Sequence, residues 1–274
     1  MKPCSFDYVR ADRVQDIFEA FEHYGQEARI LAGGQSLMAM INYRLARPKA
    51  LIDISRCAEL DYVQVRDGRL VVGAAVTQAK VQQREALARE VPLLQLAFPY
   101  ISHFQIRSRG TVCGSIAHAD PSAELPLCLT ALRGEVVLRS KSGRRTLAAD
   151  EFFTGMLMTA IEEGEFIEEV RFPLAVDGCR YRFDEVAMRR GDFAIVSLAV
   201  VASASEIALT IGGVADRPVT RRWPRSADLP AVLAAFAWDL QAQSDPHVSA
   251  SYRRHLVRSL GQRLITEVLD ETVS

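Results

Sequence analysis

The run Arg29-Ile30-Leu31-Ala32-Gly33-Gly34-Gln35-Ser36-Leu37 limits the possible fold more than any other stretch of this chain. A short apolar strand over 29–32 meets two glycines and passes into a helical stretch over about 36–46. Arg47-Pro48 closes that stretch, because the residue before a proline resists the helical region. Upstream, Val14, Ile17, Phe18 and Phe21 lie on one stripe of a helix that starts near Asp12 and stops at Gly25. Downstream, residues 50–54 are a second short apolar run. Helix, strand, helix, strand is the rhythm of an α/β layer. A glycine turn between strand and helix lets backbone approach a ligand, and its free N–H groups suit a phosphate or pyrophosphate. A plain strand-to-helix turn would read the same way.

Beyond residue 60 the pattern turns antiparallel. Two apolar runs, 62–65 and 70–72, flank Asp67-Gly68, a hairpin signal. Thr77 is placed as the N-cap of a helix running to about 89. A second hairpin is expected from 134–138 and 145–147, and a strand over 166–172. Three strand-like runs follow, at 180–188, 193–202 and 207–214, and then helices over about 227–243 and 248–269. The segment 110–121 is rich in small residues, has little periodicity, and suits backbone packed against a flat ligand. The expected fold class is α+β, with a boundary near Val176.

Composition narrows the function. A net charge of −1 offers no field for gathering nucleic acid or an anionic membrane. The apolar runs are far shorter than a membrane span. The opening residues lack the basic-then-apolar order of a secretory leader, so a cytoplasmic protein is expected. The five cysteines are widely spaced and form no C-x-x-C pair, so neither a disulfide framework nor a zinc or iron–sulfur site is expected. His23, His103, His118, His247 and His255 show no ligand spacing, and Ser36 and Ser115 have no obvious base beside them. The glutamates over 162–169 read as a solvated acidic face. Backbone suited to cradling a cofactor, with no evident chemistry of its own, fits a chain whose cofactor supplies the reactivity.

Three segments carry a resemblance to a known family. Ala32-Gly33-Gly34-Gln35-Ser36-Leu37, followed by Arg44-Leu45-Ala46-Arg47-Pro48 and Leu51-Ile52-Asp53-Ile54, resembles the FAD-binding medium subunit of molybdenum hydroxylases, such as the carbon-monoxide and xanthine dehydrogenases. The stretch from Thr111-Val112-Cys113-Gly114-Ser115 through Asp120-Pro121-Ser122-Ala123-Glu124 resembles that family's second flavin segment. Arg189-Arg190-Gly191-Asp192-Phe193 resembles the opening of its C-terminal domain.

The resemblance implies a two-lobed FAD-binding domain of the vanillyl-alcohol oxidase (PCMH) type over 1–175. Over 176–274 it implies a three-stranded antiparallel sheet with a small helical bundle. It implies FAD as cofactor, with Ala32, Gly33, Gly34, Gln35, Ser36 and Leu37 around the pyrophosphate. Thr111, Cys113, Gly114 and Ser115 would form the second side, and Asp120 and Glu124 would be polar contacts to the nucleotide portion. Ile101 would lie near the flavin ring and Ile167 near the adenine end. The implied role is electron transfer within an oxidoreductase complex, from an iron–sulfur small subunit to an external acceptor, beside a molybdenum-cofactor large subunit. A dimer of heterotrimers is the implied assembly, with no catalytic acid or base and no metal on this chain. Cys113 stands where many relatives have glycine, and Glu185 where some place a lysine near the flavin. A stand-alone flavin oxidase or reductase of the same superfamily, or a non-catalytic nucleotide-binding module, are the competing readings.

Overall fold

The computed structural model describes residues 2–270. The opening segment gives β1 (Asp7–Arg10), α1 (Val14–Tyr24), β2 (Ala28–Leu31), α2 (Leu37–Asn42) and β3 (Ala50–Asp53). The three strands form a parallel sheet in the order β1-β3-β2. Ala50, Leu51 and Ile52 of the central β3 are buried, as its uniformly apolar sequence requires, whereas β2 at the edge is half-buried. α1 buries Val14, Ile17 and Phe18 on its apolar stripe and ends at Gly25, whose φ of 52° reverses the chain. The strand β1 has no periodicity that would have announced it.

The next segment holds β4 (Val63–Arg66), β5 (Arg69–Gly73), α3 (Gln78–Gln82), α4 (Leu87–Glu90), α5 (Pro92–Ala97), α6 (Phe104–Arg107), α7 (Val112–His118), α8 (Glu124–Ala131), β6 (Glu135–Ser140), β7 (Gly143–Ala148), α9 (Ala149–Phe152), β8 (Phe153–Gly155), β9 (Met158–Thr159) and β10 (Phe166–Pro173). Here β10 inserts between the two expected hairpins, giving an antiparallel sheet in the order β4-β5-β10-β6-β7. Asp67 and Gly68 both have positive φ, the conformation of the tight hairpin turn their sequence signals. The helix expected from Thr77 to 89 is two pieces, α3 and α4. A turn at Arg84 divides them, and its guanidinium pairs with Glu90.

The remainder forms β11 (Arg180–Ala187), β12 (Ala194–Ala202), β13 (Glu206–Gly212), β14 (Val219–Pro224), α10 (Leu229–Asp239) and α11 (Ala250–Asp270). The antiparallel sheet here has four strands among the described residues, not the three expected, and two helices cover it. The missed strand, β14, is an edge strand bearing Arg221 and Arg222, so it reads as a surface charge cluster. In place, Arg221 lies over the Phe236 ring and Arg222 pairs with Glu206. The sheet has two working faces. Val196, Leu198 and Val200 join Leu233, Phe236 and Leu264 in a core beneath α10 and α11. Tyr181, Phe183 and Ala199 on the other face belong to the main core with α5 and α8.

Candidate cofactor site

The two glycine-bearing segments meet. An added Cβ on Gly33 would lie 2.3 Å from the Arg109 carbonyl oxygen and 2.6 Å from Gly110 Cα, so the first bend rests directly on the backbone that leads into α7. Protein backbone packing on Gly33 is by itself enough to require glycine there. Gly34 has φ 72°, a left-handed conformation that turns the chain into α2. The amides of Gly34, Gln35, Ser36 and Leu37 donate to no protein acceptor among the described residues.

The opposite side is not the irregular backbone expected of 110–121 but the helix α7. Thr111 caps it, its Oγ1 accepting from the Gly114 amide at 2.9 Å. Small residues weaken the periodic signal of a seven-residue helix, which explains the misreading. Replacing Thr111 by Ala should destabilise the chain by about 1 kcal/mol, measured as a shift in the denaturant midpoint, and a variant as stable as the parent would contradict the capping role.

Between these segments lies a cavity of about 720 Å³, joined to a second of about 630 Å³. Ala32, Gly114 and Ala117 line both. Each is within the size range that holds small molecules. Of the residues singled out in the sequence, Ala32, Gly33, Gly34, Gln35, Ser36, Leu37, Ile101, Thr111, Gly114, Ser115, Asp120 and Glu124 line the larger cavity. Cys113 and Ile167 line the smaller one instead. The Cys113 Sγ donates to the Val72 carbonyl at 3.4 Å, and burial pushes this thiol up, so it remains neutral. His118 borders the larger cavity. Asp120 accepts the Ser122 amide through Oδ1 at 2.8 Å. Glu124 is 8% exposed, and burial, reinforced by Asp120, raises its carboxyl to about 7.

Two parts of the wall were not foreseen. Gln78, the first residue of α3, is buried, and its Oε1 has no hydrogen-bond partner. An orphaned buried acceptor in a cavity wall is what a ligand donor would satisfy. The only hint was its place after the capping Thr77. Gly191, Asp192 and Phe193 also line the cavity, carried there by the loop between β11 and β12. Gly191, at φ 86°, packs this loop on Ser102 and His103, and Phe193 is 65% exposed. The Arg-Arg-Gly-Asp-Phe run was noticed as a motif but not assigned to the site.

A small-residue cleft, four free amides at one bend and an orphaned amide oxygen opposite suit a flat ligand with an anionic diphosphate. These residues fit FAD. No described helix is long and apolar enough to cross a membrane.

Comparison with known proteins agrees with this chemistry. Residues 4–175 match the family described as the FAD binding domain in molybdopterin dehydrogenase. The chain is 34% identical to the 6-hydroxypseudooxynicotine dehydrogenase complex subunit alpha of Paenarthrobacter nicotinovorans, over 98% of this chain and 96% of that one. It is 32% identical to the caffeine dehydrogenase subunit beta of Pseudomonas sp. strain CBB1, over 100% and 98%. Among solved structures, a chain of the cyanide-inactivated Cu,Mo-CO dehydrogenase superimposes with a TM-score of 0.89 at 27% identity, covering 98% of each chain. These relatives are parts of oxidoreductases. With its match spanning well over half the sequence, the chain belongs to the FAD-binding family of molybdopterin dehydrogenases.

Proposed function

We propose that this chain is the FAD-carrying electron-transfer subunit of a molybdenum hydroxylase-type dehydrogenase. It would receive electrons from an iron–sulfur small subunit, stand beside a molybdenum-cofactor large subunit, and deliver electrons to an external acceptor. The observation that carries the reading is the row of unpartnered amides at Gly34, Gln35, Ser36 and Leu37, whose residues line the same cleft as those of α7. Family membership and the subunit names of the relatives support it.

In this reading the bend 33–36 holds the diphosphate through backbone N–H groups. Thr111, Gly114 and Ser115 form the facing wall, and Gln78 Oε1 accepts a hydrogen bond from the ligand. Asp120 and Glu124 are polar neighbours of the nucleotide portion, Ile101 borders the ring end, and Ile167 borders the adenine end. Phe193 offers an exposed aromatic face at the mouth. When bound, FAD supplies electron-transfer chemistry that no side chain of this chain provides. Residues 1–175 are proposed as the FAD-binding domain and 176–274 as a second domain that closes one wall through its 189–193 loop.

The test is native purification of the tagged chain, with a visible spectrum, flavin and metal analysis, and identification of copurifying subunits. Flavin bands at about one flavin per chain, together with molybdenum- and iron-bearing partners, are expected. A colourless protein that takes up no FAD would overturn the cofactor assignment; a flavoprotein that turns over alone would overturn the subunit role. His118→Ala should leave both FAD retention and turnover of the complex largely intact, since no proton transfer is assigned to it. Complete loss of turnover with FAD still bound would contradict that.

A further inference from the structure

Behind one side of the larger cavity lies a buried polar cluster, which reaches the cavity through Glu124. Glu124 lines the cavity and is 8% exposed, and its carboxylate is bonded by its own backbone amide but paired with no side chain among the described residues. Glu185 on β11 stands directly opposite Ser197 on β12 in the ladder. Opposed residues of an antiparallel pair point to the same face, about 5 Å apart at Cβ. Glu185 Oε2 and Ser197 Oγ are both sealed from solvent, and neither has a hydrogen-bond partner. Ser197 shares its face with Ala199 and Glu185 shares its face with Phe183, which is the side α8 covers.

No cation is paired with Glu124 or Glu185 among the described residues. Cys128, also on α8, is a thiol that burial keeps neutral. Asp120 adds negative charge ahead of α8, and Asp184, next to Glu185, is held by the Tyr100 hydroxyl and by Arg263. Arg107 of α6 is the cation whose field reaches Glu124. Its guanidinium is already occupied by Gln82 and by the carbonyls of Ile101 and Ser102. Buried carboxylates without a counter-charge bind protons instead. Burial, then Glu124 and Asp184, raises Glu185 to about 8.

We propose that Glu124, in the cavity wall, and Glu185, behind it, hold one proton between them, and that a bound dinucleotide tightens this proton. The second half rests on the FAD reading: a diphosphate brings negative charge into the cavity and displaces water, and both disfavour two bare carboxylates.

The test uses the full chain without cofactor, unfolded by denaturant from pH 5.5 to 9. A carboxyl raised in the folded state contributes stability that is complete below the unfolded carboxyl range. That stability is lost as pH rises toward about 8. One such proton makes the unfolding constant rise about tenfold per pH unit across that window. Glu185→Gln should flatten the slope by that amount, and Glu124→Gln should do the same. Unchanged slopes in both variants would overturn the shared proton.

A second arm titrates FAD into the parent and into Glu185→Gln. Above pH 8 the parent's Kd should rise up to about tenfold per unit, against a flatter profile in the variant. Identical profiles would overturn the link to the dinucleotide. Failure of FAD to bind at any pH would overturn that link together with the FAD reading, while the unfolding slopes still decide the shared proton.

Discussion

Gly33→Val is expected to leave the chain without flavin and less stable by about 3 kcal/mol, at the upper end of the cost of overpacking. The reason is contact with backbone. A Cβ at 33 would meet the Arg109 carbonyl oxygen at 2.3 Å and Gly110 Cα at 2.6 Å, and neither can swing aside as a side chain could. The bend would have to lift from the segment leading into α7, and the four free amides would no longer face Thr111 and Gly114. Gly68→Ala is the control. Gly68 also has positive φ, at 69°, but nothing lies within 4 Å of an added Cβ. It should cost about 1 kcal/mol of backbone strain and leave the flavin-to-protein ratio unchanged. Flavin content after desalting, read beside the melting temperature, checks both variants. A Gly33→Val protein with full flavin would show that the two segments need not touch.

Much of the site was legible in the sequence because it is built from backbone. Gly33, Gly34, Thr111 and Gly114 are needed for what they lack or cap, and such demands leave a readable trace in residue type. Twelve of the fourteen residues singled out line one cavity, though Ile101, Asp120 and Glu124 were named through the family resemblance and not through backbone demands. What was not legible depends on tertiary partners. Gln78 matters because Thr111 and Gly110 lie beside it, and Phe193 because a loop of the four-stranded sheet folds back over 102–103. The same limit explains β14, where an arginine pair that reads as solvated instead has one guanidinium over Phe236 and the other paired with Glu206. It also explains the acidic run 162–169. Glu168 and Glu169 are buried, 7% and 3% exposed, and no spacing rule could have named the arginines that reach them from other strands of the sheet.

Glu169→Ala should cost about 2–3 kcal/mol, the range for losing hydrogen bonds to a charged group, because the two arginines left behind are partly exposed. The register shift in β10 between Ile167 and Glu169 makes Glu168 the extra residue, so two consecutive glutamates are buried in one stretch of strand. Glu169 accepts from Arg66 at 2.6 Å, from Arg171 at 2.6 Å and from the Tyr62 hydroxyl at 2.6 Å. Glu168 binds Arg139 at 2.7 Å and also Arg144. Removing the Glu169 carboxylate leaves two guanidinium groups and a hydroxyl at the sheet surface without their acceptor. At roughly 2–4 °C per kcal/mol for a chain of this size, the melting temperature should fall by about 7 °C. Tyr62→Phe, which removes one hydrogen bond and no charge, should cost only about 1 kcal/mol. The pH dependence here is opposite in sign to that of the Glu124–Glu185 pair. Burial alone would raise Glu168, but Arg144 and Arg139 outweigh it and hold the carboxyl below its ordinary value. Its contribution is therefore complete above the unfolded carboxyl range and lost as pH falls through the folded value. Glu168→Gln should then reduce the acid sensitivity of unfolding below about pH 4.5 while leaving the slope from pH 5.5 to 9 unchanged. Equal acid sensitivity in the variant and the parent would show that the arginines do not hold this carboxylate in its charged form.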